Sequence, residues 1–453
     1  MFNRSVEKNL LEWKNKKNRK PLVLRGARQT GKTTIVRKFA KQFNSFIELN
    51  LEKDAIRQIF NEVKDIKDIV QSIEGLSNSK IMPKETLLFL DEIQNSVTAI
   101  KLLRYFYEEM PDLHIISAGS LLEVRMKTEG WSFPVGRVEF LYLYPVTFEE
   151  FLAALNEKIL LESLNECSLE KPMPLPLQEK AFDLLADYMI VGGMPEMVSE
   201  YLSNKNFTSI RQLQEELILS IKEDFAKYSN HSEVEFMKLV WDKAPTEIGK
   251  RIKYSNLAGS YSAAKNISKA FDILHEAMLV ERIFPTVCFR PPLIKKIKAA
   301  PKLAFLDVGL CTHALKLTKD QVKQNFMSPV YGGALFESFI SQELLALNFD
   351  NRNTLYFWIR EEKGATSELD FLIQINNQLI PIEVKSGGHG SLKSLHQFLY
   401  RSKTNLGIRL YNGVLQSDNL SVKLPNGENI NYKLLSVPIY LIFRLKYLIL
   451  SKI

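Results

Sequence analysis

The segment Gly26-Ala27-Arg28-Gln29-Thr30-Gly31-Lys32-Thr33-Thr34 follows an apolar run, Leu22-Val23-Leu24, and leads into a helical pattern. Glycines at its two ends let the backbone turn tightly and aim N–H groups at one point, and a lysine and a hydroxyl follow at once. Such a loop is a phosphate cradle. Its amides and the helix N-terminus attract the anion, Lys32 reaches the outer phosphate oxygens, and Thr33 offers its hydroxyl to Mg²⁺. Leu87-Leu88-Phe89-Leu90-Asp91-Glu92 supplies the complementary chemistry, a hydrophobic strand ending in two carboxylates. Asp91 suits the metal shell and Glu92 suits polarising an attacking water, because phosphoryl transfer asks the protein for positioning and charge. A further apolar strand, Leu113 to Ala118, ends in Gly119-Ser120, which makes Ser120 the candidate γ-phosphate sensor and Ser117 the reserve. Arg137, within Pro134-Val135-Gly136-Arg137, is the candidate for a cation completing a neighbouring subunit's site, with a surface or structural arginine as the alternative.

These residues sit within longer recognisable segments: Leu24-Arg25-Gly26 through Thr33, Leu90-Asp91-Glu92-Ile93-Gln94, Gly136-Arg137, Tyr144-Pro145-Val146-Thr147-Phe148, Gly192-Gly193-Met194-Pro195-Glu196, Lys302-Leu303-Ala304-Phe305-Leu306-Asp307-Val308-Gly309-Leu310 and Gly333-Ala334-Leu335-Phe336-Glu337. Over nearly the whole chain they resemble prokaryotic AAA+ ATPases of the archaeal ATPase-like branch, fused to a C-terminal domain of unknown function. The resemblance implies an α/β protein. It places a P-loop AAA+ parallel-sheet domain over residues 1–150, a helical lid over 151–230, a winged-helix-like domain over 231–330 and a PD-(D/E)xK, restriction-endonuclease-like α/β domain over 331–453. It implies ATP hydrolysed to ADP and phosphate with Mg²⁺ as cofactor. One departure is that Ala118-Gly119-Ser120 stands where a Thr-Gly-Ser sensor is usual, which keeps the serine.

In the last region Glu368-Leu369-Asp370-Phe371 is followed, after Asn376-Asn377, by Ile382-Glu383-Val384-Lys385. Residues two apart on a strand share a face, so Glu383 and Lys385 point together, and the adjacent strand brings Asp370 beside them. This looks like the PD-(D/E)xK core. The resemblance implies a second divalent ion, Mg²⁺ or Mn²⁺, on Asp370 and Glu383, with Lys385 orienting water, Glu337 as an extra carboxylate and Gln397 as a weaker candidate. A Glu-x-Lys on a strand edge is common, and such modules also persist as docking domains without cleavage. Converging carboxylates repel one another, so either a metal ion or the Lys385 ammonium must compensate them.

The elements that must hold these residues are legible from pattern and punctuation. Leu22 to Leu24, Phe46 to Asn50, Leu87 to Leu90 and His114 to Ala118 are expected strands alternating with helices, hence a parallel sheet. From Thr147 the pattern is helical, broken by the Lys171 to Leu177 loop and the Gly192 to Pro195 turn. His231 to Val287 is helical, with Tyr254, Leu257, Ile267, Phe271, Ile273, Leu274 and Leu279 as core, and closes on a strand from Val280 to Phe284. Helices then a strand suit a winged helix, and Arg251, Lys253, Tyr254, Lys265 and Lys269 give it a basic face; a solvated structural spacer is the alternative. A turn at Tyr331-Gly332-Gly333 is expected to open a separate module, with a helix from Ala334 and strands over Thr354 to Ile359, Leu369 to Ile375 and Leu379 to Val384.

The charge of +8 over 453 residues favours anionic partners, and nucleic acid, DNA first, is the expected one beyond ATP and ADP. Cys167, Cys288 and Cys311 are too scattered for a disulfide framework or metal spacing, which points to the cytoplasm. Met1 to Lys20 reads as an amphipathic helix, not a signal peptide, and Val437 to Ile453 as a buried strand and helix, so stable membrane insertion is not expected. A homo-oligomer follows if Arg137 acts in trans. Two other readings stay open: a nucleotide-controlled docking protein without nuclease activity, and an ATP-gated metal-dependent nuclease.

Overall fold

The four expected N-terminal strands form a parallel sheet, and a fifth joins them. In the computed structural model, which describes residues 2–451 except 63–64, 121, 228, 230, 259–262, 328, 348–354, 363–366 and 386–390, these strands are β1 (Leu22–Arg25), β2 (Ser45–Asn50), β3 (Thr86–Asp91), β4 (His114–Ala118) and β5 (Glu139–Tyr142). Their order is β2-β3-β4-β1-β5 with every pair parallel. The period of two divides their side chains between cores on opposite faces. Val23, Leu88, Leu90 and Ile115 join one, while Leu24, Leu87, Phe89 and Ile116 join the other. Helix Val6–Lys14 closes the second core with Val6, Leu10 and Trp13, spaced to share one face.

From Thr147 the chain is helical, as expected. Thr147 accepts the Glu150 N–H while Glu150 reaches back to the Thr147 N–H, a capping box that starts helix Phe148–Ala154. The expected loop at Lys171 stops at Pro174, because Pro176 is tolerated in the first turn of helix Leu175–Val191. Helices His231–Glu247, Tyr254–Ala258 and Ala264–Glu276 then lead into the antiparallel pair β6 (Val280–Thr286) and β7 (Lys302–Phe305), and Arg251 bridges Lys302 between the first two helices. The expected core residues Leu257, Ile267, Phe271, Ile273, Leu274 and Leu279 are buried, and the half-buried Tyr254 ring lies 5.3 Å from that of Phe271.

The C-terminal strands are β8 (Tyr356–Ile359), β9 (Glu368–Ile375), β10 (Gln378–Lys385), β11 (Leu406–Tyr411), β12 (Gln416–Lys423) and β13 (Asn429–Pro438). Thr354, at the start of one expected strand, lies outside the described residues. The sheet order is β12-β13-β11-β10-β9-β8-β6-β7, so the hairpin of the preceding segment is the continuation of this sheet. Phe284 stands opposite Tyr356 and Thr286 opposite Trp358. Pairing there covers what would otherwise be an open edge of β8.

The turn expected at Tyr331-Gly332-Gly333 is corrected: all three residues belong to helix Pro329–Ala346. Glycine disfavours a helix by about 1 kcal/mol, but this helix buries Leu335, Phe336, Phe339 and Ile340, and tertiary burial outweighs propensity. The chain's end behaves as expected, with β13 followed by a 3-10 helix, Ile439–Arg444, and helix Leu445–Leu450. Among the described residues no helix is long and apolar enough to cross a membrane, and all three cysteines are free.

Asp307 ties the glycine turn to the rest. It is fully buried, caps helix Val308–Ala314 by accepting the Leu310 N–H at 3.0 Å, and accepts the Gly193 N–H at 2.6 Å. Gly309 has to be glycine here, since a Cβ would sit 2.5 Å from the Gly192 Cα. Burial pushes the Asp307 carboxyl up to about 6, against the pull of those amide bonds. An asparagine accepts at one oxygen only, so one of the two buried N–H groups would go unmet. Asp307→Asn is therefore expected to cost about 1–3 kcal/mol. Thermal unfolding checks this, and an unchanged Tm would show that the Gly193 contact carries no stability.

Candidate functional site

The loop from Gly26 to Gly31 joins β1 to helix Lys32–Phe39, and Gly31 takes a φ of 93° that favours glycine. Thr30 braces the turn from behind, its hydroxyl donating to the Ala27 carbonyl at 2.8 Å. The Lys32 ammonium donates to the Gly26 and Ala27 carbonyls at 2.9 and 2.8 Å, so it is folded back over the loop that the phosphates would occupy. Thr33 Oγ1 donates to Asp91 Oδ2 at 2.8 Å, which brings both proposed metal-shell residues together. Burial raises the Asp91 carboxyl above its usual range, partly offset by the Thr33 bond. A divalent cation would relieve that burial cost, so this donor set fits Mg²⁺.

These parts open onto a cleft of about 450 Å³ lined by Arg28, Gln29, Gly31, Lys32, Thr33, Thr34, Glu92 and Ser120. Gly26 and Ala27 shape its loop from beneath. Ser117 lies elsewhere: its hydroxyl is buried and donates to the Leu22 carbonyl on β1 at 3.3 Å, which leaves Ser120 as the residue at the cleft. Arg137 does not line the cleft. It pairs with Glu108 at 2.8 Å on an outer loop whose neighbouring Val135 is 92% exposed.

A family model described as an AAA domain matches residues 18–152. The chain carries a P-loop AAA+ ATPase-like domain. Two further models, domains of unknown function (DUF8612 and DUF4143), match residues 182–321 and 332–426. Similar solved structures include the Walker-type ATPase PABY2304 of Pyrococcus abyssi, at 14% identity, covering 70% of this chain and 96% of that one with a TM-score of 0.43. The RuvB Holliday junction branch migration motor of Thermotoga maritima is 15% identical, with 62% and 90% covered and a TM-score of 0.28. The ORC2 protein of Aeropyrum pernix is 14% identical, with 71% and 91% covered and a TM-score of 0.32. No curated protein matches.

Several residues of the AAA+-like domain and its surroundings had no role in the sequence. Phe2, Arg4, Ile35, Lys38, Pro195, Glu196 and Ser199 also line the cleft. Arg4 bonds Glu150 at 2.8 Å and the Tyr144 carbonyl at 2.7 Å, which explains why the Tyr144 to Phe148 segment accompanies the loop. Pro195 approaches Gly31, its ring atom 3.6 Å from where a Cβ would stand, so the glycine turn brings it to the edge of the cradle. Arg28 is held by an ion pair to Asp224 at the end of helix Phe207–Asp224.

Gln94 is the residue most closely tied to the chemistry among those missed. Glu92 takes a left-handed φ of 51°, a strained position for a non-glycine residue, and its carboxylate accepts a hydrogen bond from the Gln94 amide. The Gln94 carbonyl oxygen lies under the sensor turn, 2.0 Å from where a Cβ on Gly119 would stand. Gln94 thus fixes Glu92 against the turn that carries Ser120. The Leu90 to Gln94 motif contained this signal, as a polar residue two positions beyond the carboxylate.

The C-terminal carboxylates are brought together, with an unforeseen member and an unforeseen cation. Lys302, on β7, has its side chain 4% exposed and its ammonium 2.9 Å from Glu337, 3.0 Å from Glu368 and 3.3 Å from Asp370. Asp370 accepts the Val384 N–H at 2.8 Å, and Lys385 is occupied with Glu383 at 2.7 Å. Gln397 is half-buried on helix Lys393–Ser402. Burial and the neighbouring Asp370 push Glu337 up to about 8 and Glu383 up to about 7. Lys302 stays charged despite its burial, because the surrounding carboxylates outweigh desolvation. Among the described residues no group of three or more His, Cys, Asp or Glu side chains is arranged to hold a metal ion. Of the two carboxylates expected to ligate a divalent ion, Asp370 faces the Lys302 ammonium and Glu383 faces the Lys385 ammonium, so each is paired with a lysine instead.

Gln94→Ala is expected to lower turnover roughly tenfold by loosening Glu92, with nucleotide affinity unchanged. Gly119→Ala should do the same by displacing the amide, and the double variant should lose no more than either single one. Steady-state hydrolysis with a fluorescent-nucleotide titration reads both; additive losses would separate the two residues.

Proposed function

We propose that this chain hydrolyses ATP to ADP and phosphate and uses the nucleotide state to reposition its middle and C-terminal regions on DNA. The observation that carries the reading is the Thr33–Asp91 bond of 2.8 Å beside Lys32, in one cleft with Glu92 and Ser120. Thr33 and Asp91 would hold Mg²⁺, which would neutralise phosphate charge when bound. Lys32 and the loop amides bind the outer phosphates, Glu92 orients a water and takes its proton, and Ser120 contacts the γ-phosphate. Arg137 acts on a neighbouring copy; its exposure on an outer loop supports that role.

The expected partition into units at 1–150, 151–230, 231–330 and 331–453 is retained as functional, with the third and fourth sharing a sheet. Three helices, the Arg251 bridge and the β6–β7 hairpin follow the order of a winged helix, which supports DNA as partner. The basic face is narrower than expected, since Lys269 pairs with Glu233 and Arg251 lies 3.9 Å from Glu368, while Lys253 and Lys265 are exposed. The C-terminal α/β unit serves as a docking platform, a reading favoured over cleavage by the position of Lys302 among its carboxylates.

Lys32→Ala should abolish nucleotide binding, whereas Glu92→Gln should bind ATP normally and lose turnover by roughly 10²–10⁴-fold. Equal phosphate release by wild type and Glu92→Gln would refute the base assignment. Specific activity should also rise with protein concentration across the dissociation range, and Arg137→Ala should flatten that rise. A strictly monomeric chain with constant specific activity would remove the role in trans.

A further inference from the structure

A divalent ion bound by carboxylates sits about 2.0–2.6 Å from their oxygens, at the point where they converge. Here that point is filled from within the chain. Glu368 and Asp370 are two apart on β9 and share a face, Glu337 comes from helix Pro329–Ala346, and the Lys302 ammonium lies within 3.3 Å of all three. The same ammonium is 5.5 Å from the ring centre of Phe357 on β8, so its remaining side is covered by an aromatic face. Arg251 adds a second positive charge 3.9 Å from Glu368, and β7 is fixed to β6 by backbone pairing.

We propose that Lys302 is an internal cation that takes the place of a divalent metal in the Glu337–Glu368–Asp370 cluster and locks the β6–β7 hairpin onto the C-terminal sheet. A buried lysine among three carboxylates loses its partners all at once if it is removed, and the acids are then left facing one another. A free divalent ion reaching the same cluster would have to displace an ammonium anchored by its own strand, so the intact protein gains little from metal. Removing the ammonium should create the metal site that the intact chain lacks. The claim stands apart from the ATPase reading, because it concerns nucleotide-free protein and residues remote from the P-loop.

The test is thermal unfolding of the full chain without nucleotide, with and without Mn²⁺, alongside Mn²⁺ binding followed by electron paramagnetic resonance. Wild type should show no Mn²⁺-dependent rise in Tm that Asp370→Asn removes. Lys302→Met should melt lower by on the order of 5 °C and recover part of that loss with Mn²⁺, and adding Asp370→Asn to it should remove the recovery. Lys302→Arg, which keeps a cation, should stay closer to wild type than Lys302→Met. If Lys302→Met yields no folded protein, the Lys302→Met, Glu337→Gln double variant, with less repulsion, should fold. A wild-type Tm that rises with Mn²⁺ and loses the rise in Asp370→Asn would overturn the proposal. So would a Lys302→Met protein as stable as wild type, or a double variant as unfolded as the single one.

Discussion

A buried carboxylate needs donors, and in this chain the donors come from segments far away in sequence. Glu150 accepts from the Ser5 N–H and from Arg4 as well as from its own helix start. Glu343 accepts the Phe148 N–H at 3.0 Å, and Gln342 beside it accepts the Val308 N–H at 2.8 Å. Each satisfies an amide in the first turn of another helix, where four N–H groups have no partner of their own. Burial pushes Glu343 up to about 8, a sign of how much solvent it has given up to make that contact. Helix Pro329–Ala346 therefore caps two helices with one pair of residues and meets Lys302 with Glu337, one to two turns earlier. It is the element on which the nucleotide domain, the helical segment and the C-terminal sheet converge.

The sequence was most readable where chemistry and chain order coincide. The phosphate loop is contiguous and its flanks are a strand and a helix, so Lys32, Thr33 and their setting could be placed without knowing the fold. Asp91 and Glu92 could be placed for the same reason. β5 was missed because Glu139 to Tyr142 owes its place to pairing with β1, and β12 was missed because Gln416 to Lys423 is a polar segment ordered by β13. Nothing local to the Lys302 to Leu310 motif marks Lys302 as the centre of a charge cluster. Its partners Glu337 and Asp370 are 35 and 68 positions away, whereas Lys385 is two from Glu383, and spacing displays only the second kind of pair.

The turn expected at Tyr331 to Gly333 gives way to a helix for a related reason. Two glycines after a tyrosine look like punctuation, because glycine weakens a helix and is favoured in turns. What decides the matter is the apolar surface that follows, and Leu335, Phe336, Phe339 and Ile340 are worth more buried along one helix than the glycines cost. A parallel partner for β8 also cannot be read from local pattern. Its identity as β6, about 70 residues upstream, depends on the path of everything between.

Those long-range contacts leave little slack between the cleft and the carboxylate cluster. Pro195 lines the cleft with Gly31, Gly193 two residues earlier donates to Asp307, and Asp307 follows Lys302 by one short strand. At Gly192 and Gly309 the two backbones are too close for a side chain on either. Packed interiors transmit displacement because they have no room to absorb it. A Gly193 turn that moves with the nucleotide must carry the Asp307 segment with it or break the buried Gly193–Asp307 hydrogen bond. Lys302 stands at the far end of that short segment, where it is held by three carboxylates on two different elements.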